Sequence, residues 1–115
     1  MTATKTETTI TTALDNLSKG AVVVLSALLS AAAGNGYDFG LMEDARKDLR
    51  VRMSSKRFAG YVGALRDFID WSQKIDVDSF HGGPTAHYVQ YALTEETVEA
   101  EDEIHARARL AAASM

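Results

Sequence analysis

Apolar residues crowd together from Gly20 to Ala33, and within that run only Ser26 and Ser30 interrupt them. A stretch apolar on nearly every face predicts a helix buried all round rather than an amphipathic one. Asp15, Asn16 and Ser18 in front of it are helix-start residues, and Gly34-Asn35-Gly36 behind it tolerates the positive φ that ends helices. Before this helix, Met1 to Thr9 is polar, rich in Thr and without period, which reads as a mobile arm. After it, Tyr37-Asp38-Phe39 reads as a short extended piece. Leu41, Met42, Ala45 and Leu49 then form one inward stripe, which predicts a second helix over about Gly40 to Arg50.

A third helix is expected after the connection Val51-Arg52-Met53, with Ser54-Ser55 as its cap. Phe58, Val62, Leu65 and Ile69 recur at helical spacing and carry the expected helix to Ile69. At about 100° per residue the opposite face holds Lys56, Gly60, Gly63 and Asp67, flanked by Arg57, Ala59 and Ala64. Glycine costs a helix roughly 1 kcal/mol relative to alanine, so Gly60 and Gly63 require a reason. Two reasons are open: tight packing against a neighbouring helix, or close approach of another molecule's surface.

From Lys74 to Phe80 the period falls to two, and it does so again from His87 to Leu93. The loop His81-Gly82-Gly83-Pro84-Thr85 between them completes the pattern of an antiparallel hairpin. Thr94 followed by Glu95 and Glu96 opens a last helix. The expected class is mainly α with a small β-hairpin, an α+β fold. The expected divisions are an arm over residues 1–9, a compact unit over 10–93, and a C-terminal helix over 94–115 available for pairing two copies.

Composition sharpens this picture in three ways. An apolar share of 46% can fill a core, and the absence of cysteine excludes disulfides and thiolate metal sites. The Ala21–Ala33 run is too short to span a bilayer and lies too far along the chain for a secretory signal. No membrane association and a cytoplasmic location are therefore expected. Charge is the third point. The formal net charge is −4, yet Arg46, Lys47, Arg50, Arg52, Lys56 and Arg57 face only Asp48 within twelve residues. Half of all the basic side chains thus sit in about a tenth of the chain. Such a run is a solvated face or an electrostatic footprint for a polyanion.

The order helix, extended piece, helix, helix, hairpin, helix, with that basic junction, resembles the winged helix-turn-helix domains of the MarR and PadR type. Ser18 to Ala33 is similar to their first core helix, and Ser54-Ser55-Lys56-Arg57-Phe58 through Ile69 to a recognition helix with its capping serine. Lys74 to Tyr91 resembles the wing, and Leu93-Thr94-Glu95-Glu96 the step that leads out of it. The resemblance covers residues 18 to 97. Two departures stand out: Trp71-Ser72-Gln73 replaces a usual glycine, and Asp76 and Asp78 make the wing acidic.

The resemblance implies a homodimeric transcriptional regulator that places its third helix in the major groove of double-stranded DNA. The expected contact residues are Lys47, Arg50, Arg52, Ser54, Ser55, Lys56, Arg57, Gly60 and Gly63. Cations and serines at a helix N-terminus reach bases and phosphates, and small residues beyond them let the helix sink deeper. A rival expectation is a winged-helix module that binds protein through its acidic wing and C-terminal helix, as a phage or plasmid inhibitor or an assembly factor would. Enzymatic readings fail at the level of residues. His81 and His87 lack a third ligand, His81-Gly82-Gly83 has no matching G-x-S-x-G, and Gly34-Asn35-Gly36 is no phosphate loop. No catalytic residue, cofactor or metal is expected.

Overall fold

The computed structural model describes residues 10–77 and 86–115. The expected arm over 1–9 and the expected loop His81 to Thr85 lie outside the described residues. A short helix, α1, covers residues 10–15. It is followed by α2 (Lys19–Ala33), β1 (Gly40–Leu41), α3 (Met42–Leu49), α4 (Ser55–Ala64), a 3-10 turn (Arg66–Phe68), β2 (Ile69–Val77), β3 (Ala86–Leu93), α5 (Glu95–Glu99) and α6 (Glu101–Ala113). The fold is α+β and mainly helical, with one three-stranded antiparallel sheet in the order β1-β3-β2.

Helix α2 is the axis of the core. Ser18 caps it by accepting from the Ala21 N–H at 3.3 Å. Val22 to Leu25, Leu28, Leu29 and Ala32 are buried along it, and α3, α4, α6 and β1 all pack on it. This is the all-round burial that its apolar run predicts. Gly36, at φ +65°, and then Tyr37, at φ +66°, turn the chain out of α2.

Two tyrosine rings lie where two glycines leave room for them. A Cβ on Gly40 would stand 2.6 Å from the ring of Tyr91, and a Cβ on Gly20 would collide with the ring of Tyr61. Tyr91 is fully buried, and its hydroxyl donates to the Leu28 carbonyl at 2.6 Å. The glycine in β1 and the tyrosine in β3 therefore bring the sheet against α2, close enough for a side chain to reach a helix carbonyl.

Several element boundaries differ from the expected ones. The helix expected to reach Ile69 stops at Ala64, where Leu65 leaves helical geometry and donates to the Val62 carbonyl at 3.0 Å. The 3-10 turn that follows keeps Phe68 inward beside Phe58 and Leu65, so the apolar spacing survives while the helix does not. Ile69 opens β2 because it pairs with Leu93, and Trp71 and Ser72 pair with Ala92 and Tyr91. Cross-strand pairing outweighs a propensity that two glycines already weaken. The hairpin is thus longer at its base than the alternation from Lys74 suggests. The register slips between Ile69 and Trp71, the mark of a bulge at Asp70.

The extended piece expected at Tyr37 to Phe39 is a turn, and the strand falls on Gly40 and Leu41, which had been expected to begin the second helix. The C-terminal helix breaks at Ala100 into α5 and α6. Thr94 caps α5 as expected, its Oγ1 accepting from the Thr97 N–H at 3.3 Å. Among the described residues no helix is long and apolar enough to cross a membrane.

Candidate nucleic-acid interface

The cationic cluster sits on α3, on α4 and on the turn between them. On α3, Ala45 and Leu49 are buried, which leaves Lys47 and Arg50 on the outer face. On α4, Phe58 is the one fully buried side chain, and Tyr61 and Val62 are half-buried beside it. Every residue on the far side, Lys56, Arg57, Ala59, Gly60, Gly63 and Ala64, is exposed. Lys56, Gly60 and Gly63 fall within a sector of about 60° opposite Phe58 at the usual helical rotation.

The two glycines bear on one of the open alternatives. A Cβ added at Gly60 or at Gly63 would meet no atom of the described residues within 4 Å. Neither residue makes room for a helix among the described residues, which speaks against that reason for their presence. Their side of α4 is a bare, narrow strip of backbone with cations at its N-terminal end.

The serines have local duties. Ser54 caps α4, its Oγ accepting from the Arg57 N–H at 3.2 Å. Ser55 Oγ accepts from the Arg46 guanidinium at 2.8 Å. Both remain exposed at the start of the helix. Arg46 also pairs with Glu43 on its own helix, and this bond holds the Glu43 carboxyl below its ordinary pKa and raises that of Arg46. Its charge is therefore largely met, and it ties α3 to the start of α4. A Glu three residues ahead of an Arg on a helix was the signal available in the sequence.

Lys47, Arg50, Lys56 and Arg57 are exposed and carry no ion pair among the described residues. Val51, 92% exposed, projects from the turn beside Arg50. Arg52 lies apart from this set. It lines a groove between α2, α3 and α6 together with Asp48, Ser26, His105 and Arg109. The turn produces this arrangement, since the Arg52 and Met53 N–H groups both bond the Leu49 carbonyl and wind the chain back over the end of α3.

On its other flank α4 borders a second groove, lined by Met42, Arg46, Phe58, Val62, Ile69 and Tyr88, between α3 and the hairpin. The described part of β2 presents Asp70, Trp71 and Lys74 to solvent, while Asp78 lies outside the described residues. Acidic side chains gather elsewhere, with Glu95, Glu96, Glu99, Asp102 and Glu103 all exposed on α5 and α6. Among the described residues no group of three or more His, Cys, Asp or Glu side chains gathers as a metal site would require.

The arrangement can neutralise several phosphates along one helix while its backbone comes close to another surface. Apart from that face, Ser26 Oγ and His105 Nδ1 lie 2.6 Å apart in the groove that Arg52, Asp48 and Arg109 also line. Comparison with protein-family models, with curated proteins and with solved structures finds no match to this chain.

Proposed function

We propose that this chain is a winged-helix protein that binds double-stranded DNA as a homodimer, with α4 in the major groove, and that it acts as a cytoplasmic transcriptional regulator rather than as an enzyme. The single observation that carries this reading is the outer face of α4. Among the described residues, Lys56 and Arg57 stand unpaired at its start, nothing approaches Gly60 and Gly63 behind them, and Lys47 and Arg50 border it on α3. The succession of helix, strand, two helices and hairpin, with the sheet order β1-β3-β2, supports the same reading.

Physically, the cations release counterions from the duplex, which gives affinity without sequence information. The narrow strip beyond them admits the helix to base edges, where specificity arises. Arg52 is the weakest member of the expected contact set, because its groove faces α6. Ser54 and Ser55 position the helix start rather than read bases.

A gel-shift titration against a pool of random-sequence duplexes tests the proposal. Binding is expected at low salt, with a slope of log affinity against log salt of about −4 to −5. Lys56→Ala and Arg57→Ala should each weaken it by about tenfold or more. Binding untouched by both substitutions would remove α4 as the reader. A second reading, a protein-binding module, is favoured by the exposed acidic row on α5 and α6. It predicts no retention on heparin above roughly 0.3 M salt.

A further inference from the structure

Away from the outer face of α4, three elements bring six polar side chains around one groove of about 430 Å³. That volume falls within the roughly 300–1,000 Å³ of small-molecule sites. Ser26 and Ser30 come from α2, His105 and Arg109 from α6, and Asp48 and Arg52 from the end of α3 and the turn after it. On α2 and on α6 the two residues stand four apart, which puts them on one face of the helix, a turn from each other. Between these side chains the floor is apolar, with Val23, Ala27, Leu49 and Ala108 all buried. Two of the four are alanines, one on each long helix, and their small side chains leave room above them.

The charges in the groove are unevenly met. Arg52 and Arg109 are exposed, and neither makes an ion pair among the described residues, although Asp48 lines the same groove. Two guanidiniums thus stand against one carboxylate. Ser26 Oγ and His105 Nδ1 lie 2.6 Å apart. With the hydroxyl donating to Nδ1, the ring proton sits on Nε2, which is then a further donor for a ligand.

We propose that this groove binds a small sugar phosphate or polyol phosphate. A phosphate monoester has three terminal oxygens and takes donors from several directions. That suits two guanidiniums, an imidazole N–H and a serine hydroxyl contributed by three different elements. A simple carboxylate is satisfied by one guanidinium fork and would leave the second cation unmet. Asp48 repels an anion, so it faces another part of the ligand, and a carboxylate accepts from hydroxyl groups. The ligand therefore carries hydroxyls beside its phosphate, and the C–H faces of its carbon skeleton lie on the apolar floor. None of this rests on the DNA-binding reading.

Isothermal titration calorimetry of the full chain at low salt, without DNA, tests the site. The probes are glucose 6-phosphate, ribose 5-phosphate and glycerol 3-phosphate, with glucose and inorganic phosphate as the two halves of the ligand. At least one of the three esters is expected to bind with Kd below about 1 mM, and about tenfold tighter than inorganic phosphate. Arg52→Gln and Arg109→Gln should each weaken that binding by about tenfold. Asp48→Asn should weaken the ester and leave inorganic phosphate no weaker. Lys74→Gln, on the exposed part of β2, should change nothing. Circular dichroism confirms that each variant keeps its helices. No binding of any ester, binding indifferent to both arginine changes, or equal loss in Lys74→Gln would overturn the inference. Inorganic phosphate binding as tightly as the esters would overturn the assignment of a sugar or polyol. A chain that binds an ester and ignores duplex would overturn the regulator reading and leave this groove standing.

Discussion

Two pairs of glycines divide the molecule into a side that faces inward and a side that faces out. At Gly20 and Gly40 the missing side chain is replaced by a tyrosine ring, Tyr61 over α2 and Tyr91 over β1. At Gly60 and Gly63 nothing among the described residues replaces it. The first pair explains its own cost, because each glycine admits an aromatic ring that joins two elements. The second pair weakens α4 with no compensating contact among the described residues. On the DNA-binding reading proposed above, an exposed face that gives up stability beside the cations of α3 and α4 serves something outside the chain.

The inward pair gives the largest expected effects. Gly40→Ala drives a methyl against Tyr91, which is buried and bonded to Leu28 and has nowhere to turn. A loss of about 1–3 kcal/mol in chemical denaturation is expected, in the range of an overpacked core. Gly20→Ala should cost less, because half-buried Tyr61 can swing aside and alanine suits a helix better than glycine. If the two substitutions cost the same, the contrast drawn between a locked ring and a movable one is mistaken.

Tyr91→Phe sharpens the same point through pH. It should cost about 1 kcal/mol at neutral pH for the lost hydrogen bond. Burial, with a smaller push from Asp44, raises the Tyr91 pKa far above its ordinary value. The folded state holds that proton more tightly than the unfolded chain does. The stability this provides is present in full below about pH 10 and is lost as pH climbs toward the raised folded value. Denaturation midpoints of the parent chain should therefore fall above about pH 10, and Tyr91→Phe should fall less steeply. Tyr37, whose pKa its bond to Glu101 raises, keeps a part of the slope in both.

The smallest effect separates two arginines on the outer side. Arg50→Ala should reduce the magnitude of the salt slope of DNA binding by about 1, as removal of one phosphate contact does. Arg52→Ala should leave the slope unchanged, because its side chain lies in the groove beside α6. Equal changes at the two positions would place both on the interface and redraw its boundary.

Much of the fold was legible where the governing physics is local. The burial of α2 follows from its composition, and the caps Ser18, Ser54 and Thr94 follow from side-chain chemistry one turn away. The end of α4 was not legible, because Ile69 and Trp71 become strand by pairing with Leu93 and Ala92, more than twenty residues further on. The roles of Gly20 and Gly40 were hidden for the same reason, since the rings they admit come from α4 and β3. In the candidate site, the alignment of Lys56, Gly60 and Gly63 was readable from helical spacing. That nothing among the described residues covers the two glycines was not. The departure of Arg52 was also hidden, since it depends on how two N–H groups share one carbonyl in the turn.

The most direct test of the central claim is to fill the bare strip with Gly60→Leu and Gly63→Leu and measure stability and duplex affinity together. Both side chains enter open space, and leucine favours a helix by nearly 1 kcal/mol per site over glycine. The account predicts a melting temperature raised by several degrees and DNA affinity lowered by tenfold or more. A stabilised double variant that binds duplex as tightly as the parent would contradict it.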